Sequence, residues 1–324
     1  MAAPVVSLLV PVFNRADLLG ACIESALAQT MPDLEVVVVD GASTDGTWDV
    51  CLHYAALDPR VRVFREAQNS GPVLGWWRCV EEASGNHATF LWSDDLLKPT
   101  FLQRTLPYLA DDEIAFAYTA AEVGDSPGSG KIRYAQKGSP IVSSDSFILG
   151  ALTTRGQYPL SPTCALFRLG DLRSNFTREL PTDPPTDLTA TGAGTDVLFY
   201  LLAASERPKV AHVPEALAFF RAHKGSISVQ GRDGLVSRSY AATKAWFAER
   251  YGRRDLLPTI VAWHWLADMR SSRRAISPTA AVDRYGGVVS APNLVLAASR
   301  LLFGLAFARL PWIGDMAQRR IKRA

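Results

Sequence analysis

Phe90-Leu91-Trp92-Ser93-Asp94-Asp95 runs three apolar residues straight into two adjacent carboxylates. Such a stretch suits a buried strand whose C-terminal end presents acid at the edge of a sheet. In open α/β sheets the ligand crevice lies outside the carboxyl ends of the strands. Two neighbouring carboxylates repel each other, so they call for a cation between them or for hydrogen-bond donors on both. The competing explanation is a helix N-cap, with Asp94 or Asp95 capping a helix from Leu96 onward. The flanking segments decide between the two.

Upstream, Val5–Val12, Leu34–Val39, Val61–Phe64 and His87–Trp92 have the composition of strands. Between them, Asp17–Gln29, Thr47–Leu57 and Val73–Ala83 carry apolar residues at helical spacing. This alternation predicts an α/β fold: a doubly wound, mostly parallel sheet with helices on both faces. Three strands end in polar or acidic residues, namely Asn14, Asp40, and Asp94 with Asp95. Acids at the same end of successive parallel strands converge on one crevice.

Downstream the pattern predicts a helix over Phe101–Leu109, a strand over Ile114–Val123 and a hairpin arm over Lys131–Ala135. Thr163–Arg168 has the pattern of a strand. Leu180–Gly194, rich in Pro, Thr, Asp and Gly, is expected as a mobile loop. Asp196 opens an apolar helix, and Val210–Val213 and Ala216–Arg221 are expected as two short strands. Helices follow over Gly234–Tyr251 and Asp255–Arg274. The chain thus divides into an α/β domain over residues 1–230 and a helical C-terminal region over 231–324.

Of the 324 residues, 48% are hydrophobic and 20% charged, enough for a full core. A net charge of +2 gives no general attraction for nucleic acid. Cys22, Cys51, Cys79 and Cys164 form no CxxC pair, which fits a reducing compartment without structural zinc. Met1-Ala2-Ala3-Pro4 leads into the first strand without a basic stretch, so a secretory leader is not expected. The tail, about residues 292–324, is apolar over Asn293–Leu310 and carries Arg300, Arg309, Arg319, Arg320, Lys322 and Arg323 against Asp315. That suits an amphipathic helix lying on an anionic membrane surface, and is too short and too charged for a span. Packing on the catalytic domain, or on the partner in a homodimer, is the competing use.

Five groups of residues carry candidate chemistry. Pro11, Phe13, Asn14 and Arg15 close the first strand, where an aromatic and an amide can stack on and hydrogen-bond a flat base. Asp40, with Gly41 and Ser43 in the turn behind it, can accept from a nucleobase N–H or a ribose hydroxyl, and the turn's N–H groups can hold an anion. Ser93, Asp94 and Asp95 offer oxygen ligands of the kind Mn²⁺ or Mg²⁺ takes, which a diphosphate near carboxylates needs. Asp196, at a helix start, can act as general base on a hydroxyl. Arg221, His223, Lys224 and Ser226 form a basic loop able to clamp a diphosphate, with His223 as a further metal ligand. Each has a plain structural counterpart as a cap, turn or surface loop.

Together these residues resemble the inverting family 2 glycosyltransferases with the GT-A fold, over roughly residues 5–230. Ser7–Arg15 is similar to the family's opening strand, and Val38–Thr47 to its uracil-binding turn. Asn69-Ser70-Gly71 and Ala83-Ser84-Gly85 match the frame before the fourth strand. Ser93-Asp94-Asp95 is similar to the DxD-type metal motif. The resemblance implies that Asp40 contacts the nucleobase, Asp94 the ribose or sugar, and Asp95 the metal bridging the donor diphosphate. It places the catalytic base at Asp196 and a closing loop at Arg221, His223 and Ser226. Trp76 and Trp77 stand where the family has an Arg-Asn pair that positions the donor; Arg78 is the candidate substitute, the alternative being that the tryptophans are simply core. Thr195 stands where Glu often precedes the base.

The implied activity is transfer of a sugar from a nucleotide-sugar donor, UDP-linked by preference, to a glycan or lipid-linked saccharide in surface polysaccharide assembly. It would proceed with inversion on the cytoplasmic, inner face of the cell membrane. Two other functions remain open. One is a catalytically silent nucleotide-sugar-binding scaffold. The other is a sugar nucleotidyltransferase, which would carry a Gly-rich, Arg/Lys-bearing loop where this chain has Phe13-Asn14-Arg15.

Overall fold

The structure is a computed structural model that describes residues 4–153, 158–182, 185–223, 235–272 and 275–307. Contacts divide the chain into two units, Met1–Ala151 with Arg155–Val236, and Leu152–Thr154 with Ser237–Ala324.

The first unit opens with β1 (Val6–Val12), α1 (Ala16–Leu27), β2 (Leu34–Asp40), α2 (Thr47–Leu57), β3 (Val61–Arg65), α3 (Pro72–Glu82) and β4 (His87–Phe90). Here the sequence pattern and the structure agree to within a residue or two at most ends. Every residue of β2 is buried, as a continuous β-branched run in a two-sided sheet demands. β1 pairs in parallel with β2 and β4, and β2 with β3. α1 and α2 cover one face and α3 the other. Pro72 occupies the first turn of α3, where its missing N–H leaves no bond unmade.

The second half is more mixed. β5 (Leu96–Leu97), α4 (Phe101–Thr105), β6 (Ile114–Gly124), β7 (Lys131–Arg133), β8 (Ile141–Ser143), α5 (Ser144–Thr153), β9 (Ala165–Arg168) and α6 (Leu169–Ser174) follow. Then come β10 (Glu179–Leu180), β11 (Thr186–Asp187), α7 (Thr195–Glu206) and β12 (Lys209–Arg221). The main sheet runs β3-β2-β1-β4-β9-β6-β12-β5, with β7 on β6 and β8 on β12. β9 is antiparallel to β4 and β6, while the long β6–β12 pairing is parallel. The longest pairings are parallel, so the sheet is mixed but mostly parallel.

Several expectations need correction. Val210–Val213 and Ala216–Arg221 belong to one strand, because the register shifts between Val213 and Ala216 absorb Pro214 as a bulge. The helix expected over Phe101–Leu109 is α only to Thr105, then 3₁₀ from Leu106, where Pro107 interrupts the α pattern. Thr163 and Cys164 lie in a 3₁₀ turn before β9 rather than in the strand. Leu180–Gly194 is not a bare loop: β10 and β11 form a small hairpin, and Leu180, Leu188 and Ala193 are buried.

The C-terminal unit holds α8 (Leu235–Arg250), α9 (Leu257–Ser272), α10 (Pro278–Arg284) and α11 (Ala291–Phe307). Leu294, Ala297, Ala298 and Leu301 form the buried stripe of α11, which packs on α9 and α10. Val295, Leu296 and Leu302 stay exposed. Among the described residues no helix is long and apolar enough to cross a membrane. The basic end of the tail, from Ala308 on, lies outside the described residues.

Candidate active site

The C-terminal ends of β1, β2 and β4 lie side by side, so Asn14, Asp40 and the Asp94–Asp95 step share one edge. Neither carboxylate of that step caps a helix. The chain turns at Ser93–Asp94 and pairs Leu96 and Leu97 antiparallel to Phe219 and Ala218 of β12. This pairing brings the end of β12 against the step. The Arg221 N–H donates to Asp95 Oδ1 at 3.0 Å, and Arg221 Nε to the Asp94 carbonyl at 3.1 Å. His223 Nε2 lies 2.7 Å from Asp94 Oδ2.

Asp95 is buried. Burial first, and then the neighbouring Asp94 charge, push its carboxyl well above the ordinary range, while the Arg221 N–H and the Thr163 hydroxyl pull the other way. Cys22 lies below the step; burial, then Asp95 and Asp94, push its thiol up, so it stays protonated and unreactive.

Two carboxylates and an imidazole are a donor set that Mn²⁺ and Mg²⁺ accept. Asp94 and Asp95 supply oxygen donors of the type such an ion takes, but they and His223 are not placed as a ready three-ligand group. Among the described residues no group of three His, Cys, Asp or Glu could hold a metal on its own. His223 contacts Asp94. Lys224 and Ser226 lie outside the described residues.

The Asn14–Ser43 corner is a closed hydrogen-bonded turn. Asn14 adopts φ 51° and Ala42 φ 60°. The Asn14 N–H donates to Ser43 Oγ at 2.8 Å, and Asn14 Oδ1 accepts from the Thr44 N–H at 2.9 Å. Asn14 therefore braces the β2–α2 turn instead of capping α1. The Arg15 N–H donates to Thr47 Oγ1 at 2.8 Å, and Gly41 N–H to the Val12 carbonyl at 2.9 Å. Phe13 is exposed and its ring lies against Gly41. Pro11 meets α3 at Gly75. Arg78 pairs with Glu82 at 2.6 Å and lies over the Phe64 ring.

Asp196 sits in the first turn of α7 and is buried. Its Oδ1 accepts from the Gly194 N–H at 2.9 Å and the Val197 N–H at 2.7 Å, which fixes the carboxylate's direction. Thr195 anchors the same turn by donating to the Thr177 carbonyl at 2.8 Å. One turn along α7, Tyr200 donates to the Ser161 carbonyl at 2.7 Å, beside the 3₁₀ turn that carries Thr163. Asp95 and Asp196 thus flank one turn. Both lie within electrostatic range of the Tyr134 phenol, which burial, then Cys164, Asp196 and Asp95, push up.

Sequence reasoning missed Tyr134 and Arg65, and gave the region around Tyr158–Thr163 only to the acceptor side. Tyr134 sits at φ 63°, a left-handed conformation that is uncommon for a bulky residue and that nothing in the sequence signals. Trp76 and Trp77 are packing residues. Trp76 stacks on Trp92 with ring centroids 4.6 Å apart, and Gly192 lies flush on it: a Cβ there would fall 2.1 Å from Cη2. Trp77 meets Phe176, with Arg178 over its ring.

Residues 7–175, just over half of the chain, match the family profile described as Glycosyl transferase family 2. The chain belongs to that family. Among curated proteins, this family 2 member is 30% identical over 153 residues to a Bacillus subtilis (strain 168) protein named as a teichuronic acid biosynthesis glycosyltransferase. That match takes in 46% of this chain and 61% of the relative. It is 35% identical over 127 residues to the chondroitin synthase of Pasteurella multocida (strain Pm70), 39% of this chain and 13% of that one. The chain therefore matches less than two thirds of each relative's length.

Among solved structures it superposes on S. aureus TarS 1-349 in complex with UDP with TM-score 0.64 at 18% identity, covering 92% of this chain and 91% of that one. It also superposes on a Pyrobaculum calidifontis mannosyltransferase in complex with GDP-Man and Mn²⁺, with TM-score 0.54 at 19% identity, covering 96% and 82%. These likenesses establish the fold, the GT-A type.

Proposed function

We propose that the protein is an inverting glycosyltransferase that moves a sugar from a nucleoside-diphosphate donor to a hydroxyl of a glycan or lipid-linked saccharide. A uridine donor is the first choice. The observation that carries this reading is the arrangement in which the Asp94–Asp95 step, bonded to Arg221 and His223, and the oriented Asp196 carboxylate flank the Ser161–Thr163 turn. Family membership supports it, as do the UDP complex of TarS and the names of the polysaccharide-forming relatives.

In this reading the donor lies across the strand ends, with its base at the Asn14–Asp40 corner and its diphosphate at the Asp94–Asp95 step. Mn²⁺ or Mg²⁺ held by Asp95, with Asp94 and His223, would supply positive charge to the departing diphosphate. Arg221 fixes the step through its bonds to Asp94 and Asp95. Asp196 takes the proton of the acceptor hydroxyl. The hydroxyl oxygen then bonds to the anomeric carbon as the bond to the diphosphate oxygen breaks, and the configuration inverts. The hairpin of β10 and β11 and the Gly192 turn over Trp76 border the acceptor side. The exposed residues Val295, Leu296 and Leu302, with the basic tail, hold the protein on an anionic membrane where a lipid-linked acceptor is found.

Incubation with a panel of nucleotide sugars and Mn²⁺ or Mg²⁺ tests this. The expected result is metal-dependent release of nucleoside diphosphate with one donor, and a product of inverted anomeric configuration by NMR. A retained configuration contradicts the mechanism. Nucleotide binding without release from any donor and acceptor pair favours the silent scaffold. Removal of residues 293–324 is expected to abolish sedimentation with anionic vesicles; unchanged sedimentation overturns the membrane role.

A further inference from the structure

Asp40 is the acid that the resemblance assigns to the nucleobase, yet its side chain is 0% exposed. Its carboxylate accepts the Ser43 N–H at 3.1 and 3.3 Å and pairs with Arg65 Nε at 3.2 Å. Arg65 ends β3 directly beside Asp40 in the parallel register. Its Nη2 donates to the Ser43 carbonyl at 2.9 Å, and its guanidinium lies 5.3 Å over the Trp48 ring. The Arg65 side chain is 42% exposed. The surface of this corner is therefore a guanidinium, with the carboxylate sealed behind it and the exposed Phe13 ring against Gly41.

We propose that Arg65 reads the base of the nucleotide donor and that Asp40 is a positioning residue acting through it. The proposal rests on the nucleotide-sugar reading of the site. A guanidinium only donates hydrogen bonds. Bonds to Asp40 and Ser43 fix its plane, and its remaining N–H groups can meet the keto oxygen that uracil and thymine carry at C4 and guanine at C6, where cytosine and adenine carry an amino group. The exocyclic amino groups of cytosine and adenine are donors and would face it donor to donor. A carboxylate facing the base would accept from those amino groups, so the two arrangements select different bases. The exposed Phe13 ring offers the stacking face, which every base satisfies and which carries no selectivity.

The test is calorimetric binding of UDP, CDP, GDP, ADP and inorganic pyrophosphate to the full-length protein and to Arg65→Gln, Arg65→Lys and Asp40→Asn. Wild type should prefer UDP over CDP, and GDP over ADP, by about tenfold or more, the equivalent of about 1.4 kcal/mol. Arg65→Gln, whose amide can also accept, should bring both ratios close to one and leave pyrophosphate binding unchanged. Asp40→Asn should reduce the ratios in the same direction, because the guanidinium loses its fixed plane. Arg65→Lys keeps the charge and should keep only part of the preference. Two results overturn the assignment: Arg65→Gln and Arg65→Lys variants that melt as wild type does and retain the full preference, or Arg65→Gln weakening pyrophosphate as much as UDP, which makes Arg65 a phosphate contact. A wild type that binds none of the nucleotides overturns the nucleotide-sugar reading, and this inference with it.

Discussion

Asp40 and Asp95 stand at the ends of neighbouring parts of one sheet edge, both buried, with opposite electrostatics. Asp40 is paired from within: Arg65 and the Ser43 N–H satisfy it, and the turn around it is closed by Asn14, Thr44 and Thr47. Asp95 has the Arg221 N–H and the Thr163 hydroxyl, but burial first, and then a second carboxylate next to it, push its carboxyl up. The first corner is a finished scaffold. The second holds a charge imbalance that the folded chain leaves for a ligand to correct. Active sites gather such imbalances, whereas framework acids are paired.

Substitutions at the two corners should therefore act in opposite senses. Asp95→Asn removes a buried charge beside Asp94, so it should raise the melting temperature of the ligand-free protein while lowering turnover by about 10³-fold. A fall in both would mean that Asp95 serves the fold instead. Gly85→Ala tests the frame that holds β2 against β1. A Cβ at Gly85 would lie 2.8 Å from Ser7 Oγ and 2.9 Å from the Ser7 nitrogen, and should destabilise by about 1–3 kcal/mol in urea unfolding. Asp40→Asn leaves a half-exposed Arg65 without its acid, and should lower stability by about 1–2 kcal/mol. An unchanged midpoint would erase the contrast with Asp95.

The smallest effect is a pH dependence at the other end of β2. Glu35 accepts from the Ser7 hydroxyl at 2.7 Å, the Ser84 N–H at 2.6 Å and Arg62 at 2.7 Å. Burial alone would raise its carboxyl, but these bonds hold it below its ordinary value of 4.5. A carboxyl lowered on folding stabilises fully above the unfolded value, and that contribution is lost as pH falls through the folded one. Melting scans from pH 7 down to pH 3 should show a steeper acid loss for wild type than for Glu35→Gln. Parallel curves would remove Glu35 from the frame.

The sequence made the first half of the sheet legible because its strands are continuous β-branched runs and its helices keep a clean period. The match at Ala83-Ser84-Gly85 has a physical cause, the Ser7–Glu35–Ser84 network with a glycine pressed against Ser7. Beyond β4 the pattern fails where pairing is long-range. β5 is two residues long and exists only because β12 lies beside it. Pro214 makes one bulged strand look like two. Asp40, Asp94 and Asp95 stood out as strand ends and Asp196 as a helix start, but their partners stood out less: Arg65 looks like any charged residue closing an edge strand, and Tyr134 comes from a turn whose position depends on the whole sheet. For Trp76 and Trp77 the sequence left lost donor contacts and plain core packing both open, and the Gly192 turn and Phe176 account for them as packing.

The central claim is that Asp196 is the base of a transfer site whose donor is held at the Asp94–Asp95 step. Its most direct test compares nucleoside diphosphate release from the working donor and acceptor by wild type and by Asp196→Ala, with nucleotide binding measured in parallel. The account predicts that Asp196→Ala binds the nucleotide as wild type does and loses turnover by about 10²- to 10⁴-fold. Turnover retained at the wild-type rate would contradict it.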